Sequence, residues 1–228
     1  MIRLHTTEWG KPGDDIAVLV HGLTSDAGTW SRVGPALAER GYHVIAPDLL
    51  GHGHSPRGDY ALTALTDTLV DAVPKCPVVV IAHSLGGLLA ALGVDRIAPR
   101  RVVYVDPAWA ASPPGVENFF RMAKSATLAD LQRTAPRWPE EGHRTKLAAL
   151  GRWDPETLAF VPGFPGYEPP PPRVPSLVLL ADPSLLVGPE RATRLRAEGF
   201  AVRSVSGAGH VIHQDDHDGF LAGLQGWI

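Results

Sequence analysis

Two residues in this chain stand where covalent acyl chemistry could start: a serine in a cramped turn and a histidine in a glycine loop. The serine is Ser84, in Val78-Val79-Val80-Ile81-Ala82-His83-Ser84-Leu85-Gly86-Gly87. A β-branched run stops there at a small-x-Ser-x-Gly pattern, and helical apolar spacing follows from Leu88. Such a strand-to-helix turn strains the serine backbone, and only small neighbours, here Ala82 and Gly86, leave room for it. The hydroxyl then stands at the carboxyl end of a sheet. The helix N-terminus below aims backbone N–H groups at any oxyanion formed on that spot.

A serine nucleophile needs a base. Of the 10 histidines, His210 has the telling context, Val205-Ser206-Gly207-Ala208-Gly209-His210, a glycine loop after the last apolar run. An imidazole accepts the serine proton and returns it to a leaving group. His213 reads as a loop or helix-start residue, and Asp215 with Asp216 as a helix cap. An oxyanion hole needs two convergent N–H groups. Leu85, just after the nucleophile, supplies one. Leu23, in His21-Gly22-Leu23 after the first long strand, supplies the other, with Gly22 permitting the sharp backbone path and His21 holding the loop.

To bring these groups together the chain must supply strands whose carboxyl ends share one edge. Short apolar runs at 16–20, 44–46, 78–81, 101–105, 177–180 and 201–205 alternate with helical patterns at 30–40, 62–73, 85–97, 189–198 and 218–227. That alternation predicts an α/β fold, a mostly parallel sheet with helices on both faces. Residues 107–172 break it. They are rich in Pro, Trp and Phe, carry helical pieces near 118–124, 128–133 and 144–150, and end in a stiff proline run, Pro169–Pro172. The reading is a core of residues 1–106 and 173–228 with a cap or lid inserted at 107–172.

Composition excludes other classes. With 228 residues, 44% of them hydrophobic, the chain can bury a full core. A net charge of −3 gives no electrostatic reason to expect nucleic acid or an anionic membrane. No apolar run reaches bilayer length, and the first residues lack the apolar stretch of a secretion signal. A single cysteine, Cys76, cannot form an internal disulfide, so a cytoplasmic, reduced protein is expected.

Taken in order, His21-Gly22, then Asp48 with Gly51-His52-Gly53 and Ser55, then Ala82-His83-Ser84-Leu85-Gly86-Gly87, then Gly207-Ala208-Gly209-His210, the chain resembles the α/β-hydrolase superfamily. The likeness covers residues 16–228 outside the insertion. It is greatest with the lipase/esterase, haloperoxidase-like and C–C hydrolase branch. The resemblance implies a twisted, mostly parallel sheet with a cap after the strand ending at Asp106. It also implies a Ser-His-Asp triad, no metal and no organic cofactor, with the turn at 48–55 shaping the site.

The acid departs from that family's pattern. Members usually carry it about three residues past the small residue ending the penultimate strand. That slot is Ser184, and a serine cannot stabilise an imidazolium. Asp106, at the end of the preceding strand, and Asp182, two residues before the slot, both lie on the right sheet edge. Asp106 is favoured and Asp182 is the alternative, with a Ser-His dyad also open.

A serine at the turn excludes the displacement chemistry of haloalkane dehalogenases and epoxide hydrolases of this fold, which need a carboxylate there. The expected reaction is hydrolysis of an ester, thioester or lactone through an acyl-enzyme on Ser84. The cap aromatics Trp109, Phe119, Trp138 and Trp153 are expected to line a pocket for a small apolar or aromatic substrate. Other readings are a C–C bond hydrolase, signalled by Arg121 or Arg152 in the pocket, a cyclase or lyase, and a ligand-binding sensor. The partner is a small molecule, and the sequence is silent on oligomeric state.

Overall fold

The computed structural model describes residues 2–228. Its sheet has seven strands in the order β1-β3-β2-β4-β5-β6-β7. These are β1 (Thr6–Trp9), β2 (Asp15–Val20), β3 (Tyr42–Pro47), β4 (Val79–His83), β5 (Val102–Val105), β6 (Ser176–Leu180) and β7 (Ala201–Ser204). All neighbours run parallel except β1 and β3, which pair antiparallel with Thr6 opposite Pro47 and Trp9 opposite Val44. The edge strand β1 has no counterpart in the sequence reading. Four mixed residues, Thr-Thr-Glu-Trp, carry too little apolar signal to declare a strand.

The central strands are continuous apolar runs because both sheet faces are covered. Within each run the side chains still alternate. Val18, Val20, Val80, Ala82, Val102, Tyr104, Val178 and Leu180 pack on one face with Leu65 and Leu69 of α2 (Leu62–Ala72) and Leu88 and Leu89 of α3 (Leu85–Ile97). Ala17, Leu19, Val79, Ile81, Val103, Val105, Leu177 and Leu179 pack on the other with Leu37, Phe220 and Leu224. This period of two converts a featureless apolar string into two buried layers.

Two helices differ from expectation. Residues 30–40 were expected as one helix; the chain instead makes a 3-10 helix, Ala27–Trp30, and then α1 (Val33–Ala38). Asp26 fixes that early turn by accepting from the Gly28 N–H. After α7 (Pro189–Ala197) and the short α8 (Ile212–Asp215), the last helix, α9 (His217–Gly223), stops four residues short of Trp227. Glycines at 223 and 226, the second at φ 83°, end it.

Between β5 and β6 lie α4 (Val116–Ala123), α5 (Leu128–Thr134) and α6 (Glu140–Arg152), then a 3-10 helix, Pro155–Phe160, and an extended return. A capping box between Thr127 and Asp130 starts α5. The segment has a small apolar cluster of its own: Leu150, Trp153, Leu158 and Val161, with Val116, Phe120 and Leu131 packed against it. Among the described residues, no helix is long and apolar enough to cross a membrane.

Candidate active site

Ser84 follows β4 and precedes α3 at φ 52° and ψ −116°. A non-glycine residue in that region costs roughly 1–3 kcal/mol and persists only where its surroundings over-determine it. Here its N–H donates to Val105 O at 3.0 Å, and its carbonyl accepts from Leu88 N at 3.1 Å and Ala108 N at 3.0 Å. The turn also lets α3 approach β2 at Gly86, where a Cβ would lie 2.5 Å from His21 O and 2.8 Å from Val20 O. Those are backbone atoms and cannot swing aside. Gly86→Ala is therefore expected to cost roughly 1–3 kcal/mol of stability, read as a lower Tm in a thermal melt.

His210 comes to Ser84 from the loop after β7. Its Nε2 lies 3.0 Å from Ser84 Oγ, and its Nδ1 lies 2.6 Å from Asp106 Oδ2. Asp106 is 1% exposed and sits at φ 39°, with its N–H donating to Leu179 O at 2.8 Å. A hydroxyl joined in this way can pass its proton to Nε2 while the carboxylate holds Nδ1–H and the ring orientation. Asp182 is elsewhere: its side chain is exposed, and its N–H donates to Ala208 O. Ser184, the usual acid slot, accepts from the N–H groups of Leu186 and Val187.

The two oxyanion candidates flank the serine. Leu85 N–H opens α3, where no preceding turn supplies an acceptor. Leu23 follows Gly22, whose hypothetical Cβ would lie 2.9 Å from Ser84 Cβ, so this loop runs hard against Ser84. His21 holds the loop: Nδ1–H donates to Gly22 O at 2.8 Å, and Nε2 accepts from Leu49 N at 2.9 Å. Asp48, in the turn that follows β3, accepts from Ala27 N and His54 N.

Sequence reasoning missed the supports of the His210 loop. His83 Nε2–H donates to His210 O at 2.9 Å, with ring centroids 4.7 Å apart. Asp215, expected as a helix cap, instead accepts from Gly209 N at 2.8 Å and from Trp138 Nε1–H at 3.0 Å. Asp216 does cap α9 through the Gly219 N–H. A sequence shows a histidine beside a serine but not the carbonyl, 127 residues away, that it bonds.

Burial pushes the imidazoles of His21, His52, His83 and His213 below their ordinary value, His213 to about 3. In the unfolded chain they protonate near pH 6.5, so between that pH and their folded values the unfolded state binds more protons. Their contribution is complete above pH 6.5 and is lost as pH falls, at about 1.4 kcal/mol per unit for each histidine. A Tm that drops steeply from pH 6.5 to 4.5 is expected; an unchanged Tm over that range would contradict this account.

Ser84 and His210 open into a cavity of about 800 Å³ roofed by the 107–172 segment. Phe119, Phe120, Trp138, Phe160 and Phe164 line it, as do Leu23, Leu85 and Lys146. Phe119 is 69% exposed at the mouth. Two of the four expected aromatics are not there. Trp109 is fully buried beneath the site against Tyr104, Phe200 and Tyr167, because the chain turns back onto the sheet immediately after Pro107. Trp153 is the centre of the segment's own cluster, with Nε1–H donating to Thr157 Oγ1 at 2.7 Å. Neither arginine enters the cavity: Arg121 pairs with Glu156 on the surface, and Arg152 pairs with buried Asp26.

A sequence profile described as "Alpha/beta hydrolase family" matches residues 17–223. Two relatives from Mycobacterium tuberculosis are an epoxide hydrolase, 33% identical over 52% of this chain, and a lipase, 32% identical over 69%. The matches cover 40% and 60% of those proteins' own lengths. A solved structure of N-formylmaleamic acid deformylase from Pseudomonas putida superimposes with a TM-score of 0.81 at 23% identity, covering 97% of this chain and 95% of that one. That likeness is one of fold.

Proposed function

The chain belongs to the alpha/beta hydrolase family, and on that premise we propose that it hydrolyses an ester, thioester or lactone of a small apolar or aromatic substrate through an acyl-enzyme on Ser84. The observation that carries this reading is the unbroken hydrogen-bonded line from Ser84 Oγ through His210 to Asp106, at 3.0 and 2.6 Å. In the first half-reaction Ser84 Oγ bonds to the acyl carbon while His210 Nε2 takes its proton. The carbonyl oxygen becomes an oxyanion between the Leu23 and Leu85 amides. As it collapses, the bond to the leaving alkoxide or thiolate breaks, and His210 returns the proton to it. Water then repeats the sequence and frees the acid.

Residues 107–172 serve in this reading as a cap, with Phe119 and Trp138 against the substrate. The lipase among the relatives agrees with acyl chemistry. The epoxide hydrolase does not transfer, because a serine stands where ring opening by displacement needs a carboxylate. The reaction is placed in the cytoplasm on a free small molecule, with neither nucleic acid nor membrane as partner; one lone cysteine and a net charge of −3 support this.

Short-chain p-nitrophenyl esters and a fluorophosphonate probe test the reading together. Expected are steady turnover and stoichiometric labelling of Ser84. One covalent burst without turnover would favour a sensor, and silence on both would overturn the proposal.

A further inference from the structure

We propose that Lys146 anchors a carboxylate on the substrate, so that the preferred ester, thioester or lactone also carries one acidic group. This rests on the serine-hydrolase reading of Ser84 and deepens it.

Lys146 projects from α6 into the cavity wall. Its Nζ donates to Thr24 O at 2.8 Å and to Thr24 Oγ1 at 2.6 Å. Both acceptors are neutral, and an ammonium has three donors, so one N–H is unspent. Among the described residues, no carboxylate oxygen lies within 4.0 Å of Nζ. Asp26 attracts it, but the Asp26 oxygens are taken, one by the Gly28 N–H and one by Arg152.

The other titratable groups around it supply no negative charge. His21, His52 and His83 each feel the lysine as a repelling cation, and burial keeps all three neutral. The remaining charged side chains of the cavity, Asp130 and Arg133, pair with each other at 2.6 Å at the solvent-exposed rim. Burial lowers the Lys146 ammonium to about 8, which leaves it charged at neutral pH.

Lys146 is partly buried, and a cation drawn partly out of water without a counter-ion is costly unless something supplies the anion. The wall it stands on is where substrate goes, and Thr24 directly follows Leu23, so an anion bound there sits beside the oxyanion loop. A carboxylate is the acyl-compatible anion that satisfies the free donor with a charge-assisted bond. A lysine that only propped up Thr24, which sits at φ 63°, would not need its charge.

The test uses full-length Ser84→Ala, which binds without turnover, and two probes differing by one charge: monomethyl glutarate and dimethyl glutarate. Calorimetry is expected to show the monoacid binding about tenfold or more tightly than the diester. In Ser84→Ala/Lys146→Met the two should bind alike. Equal affinities in Ser84→Ala, absence of binding by either probe, or a preference that survives loss of the lysine would each overturn the anchor. If Lys146→Met fails to fold, Lys146→Gln, which keeps a donor to Thr24 but loses the charge, takes its place. A wild-type protein inactive on all esters whose Ser84→Ala form still prefers the monoacid would sink the hydrolase reading and leave the anchor standing.

Discussion

Ser84→Ala is expected to lower kcat by about 10^4- to 10^6-fold on any ester the protein turns over, with an unchanged melting curve. The size follows from how the groups share the work. His210 has no proton to take once the hydroxyl is gone, and the oxyanion amides then act only on direct attack by water. What survives is the catalysis that binding and the amides provide by themselves. Stability should not fall, because alanine keeps the Cβ and every backbone bond that holds φ 52°: Ser84 N to Val105 O, and Ser84 O to the N–H groups of Leu88 and Ala108. Steady-state rates beside a thermal melt check both halves. Residual activity above a hundredth of wild type would mean that another group attacks.

Asp106→Asn is expected to lower kcat by about 10^4-fold, and Asp182→Asn by less than about threefold. The carboxamide is isosteric, so the buried site at the end of β5 stays filled. Its NH2 group, however, faces His210 Nδ1 as a donor and drives the imidazole proton onto Nε2. That nitrogen then points a hydrogen at the Ser84 hydroxyl and cannot act as base. Asp182, with an exposed side chain and its backbone turned to Ala208, has no path to the ring. Rates for the two variants on one ester decide the matter, and a reversed order would assign the acid to Asp182.

Much of this was legible in advance, and for identifiable reasons. The elbow at 82–87 announces itself because a turn that tight tolerates few residue types. His210 does so because two glycines before a histidine, past the last strand, serve little purpose except to bend a loop back. The core strands could be read because burial on both faces demands apolar runs. The edge strand β1 could not: its ladder to β3 is made of backbone bonds that any side chain permits.

By itself the sequence determined the family, the strand-to-helix turn at Ser84 and the glycine loop that carries His210, since each is written in consecutive residues. Only the tertiary structure decided which aspartate meets the imidazole, because Asp106 and His210 are 104 residues apart and their 2.6 Å contact depends on how β5 and the loop after β7 share one sheet edge. It also decided that Trp109 and Trp153 are core while Phe119 and Trp138 face the cavity, for an aromatic ring is equally at home in either place. The same holds for Lys146. A lysine in a helix reads as a solvated surface group, and only packing against Thr24 reveals a partly buried cation with no ion-pair partner on the cavity wall.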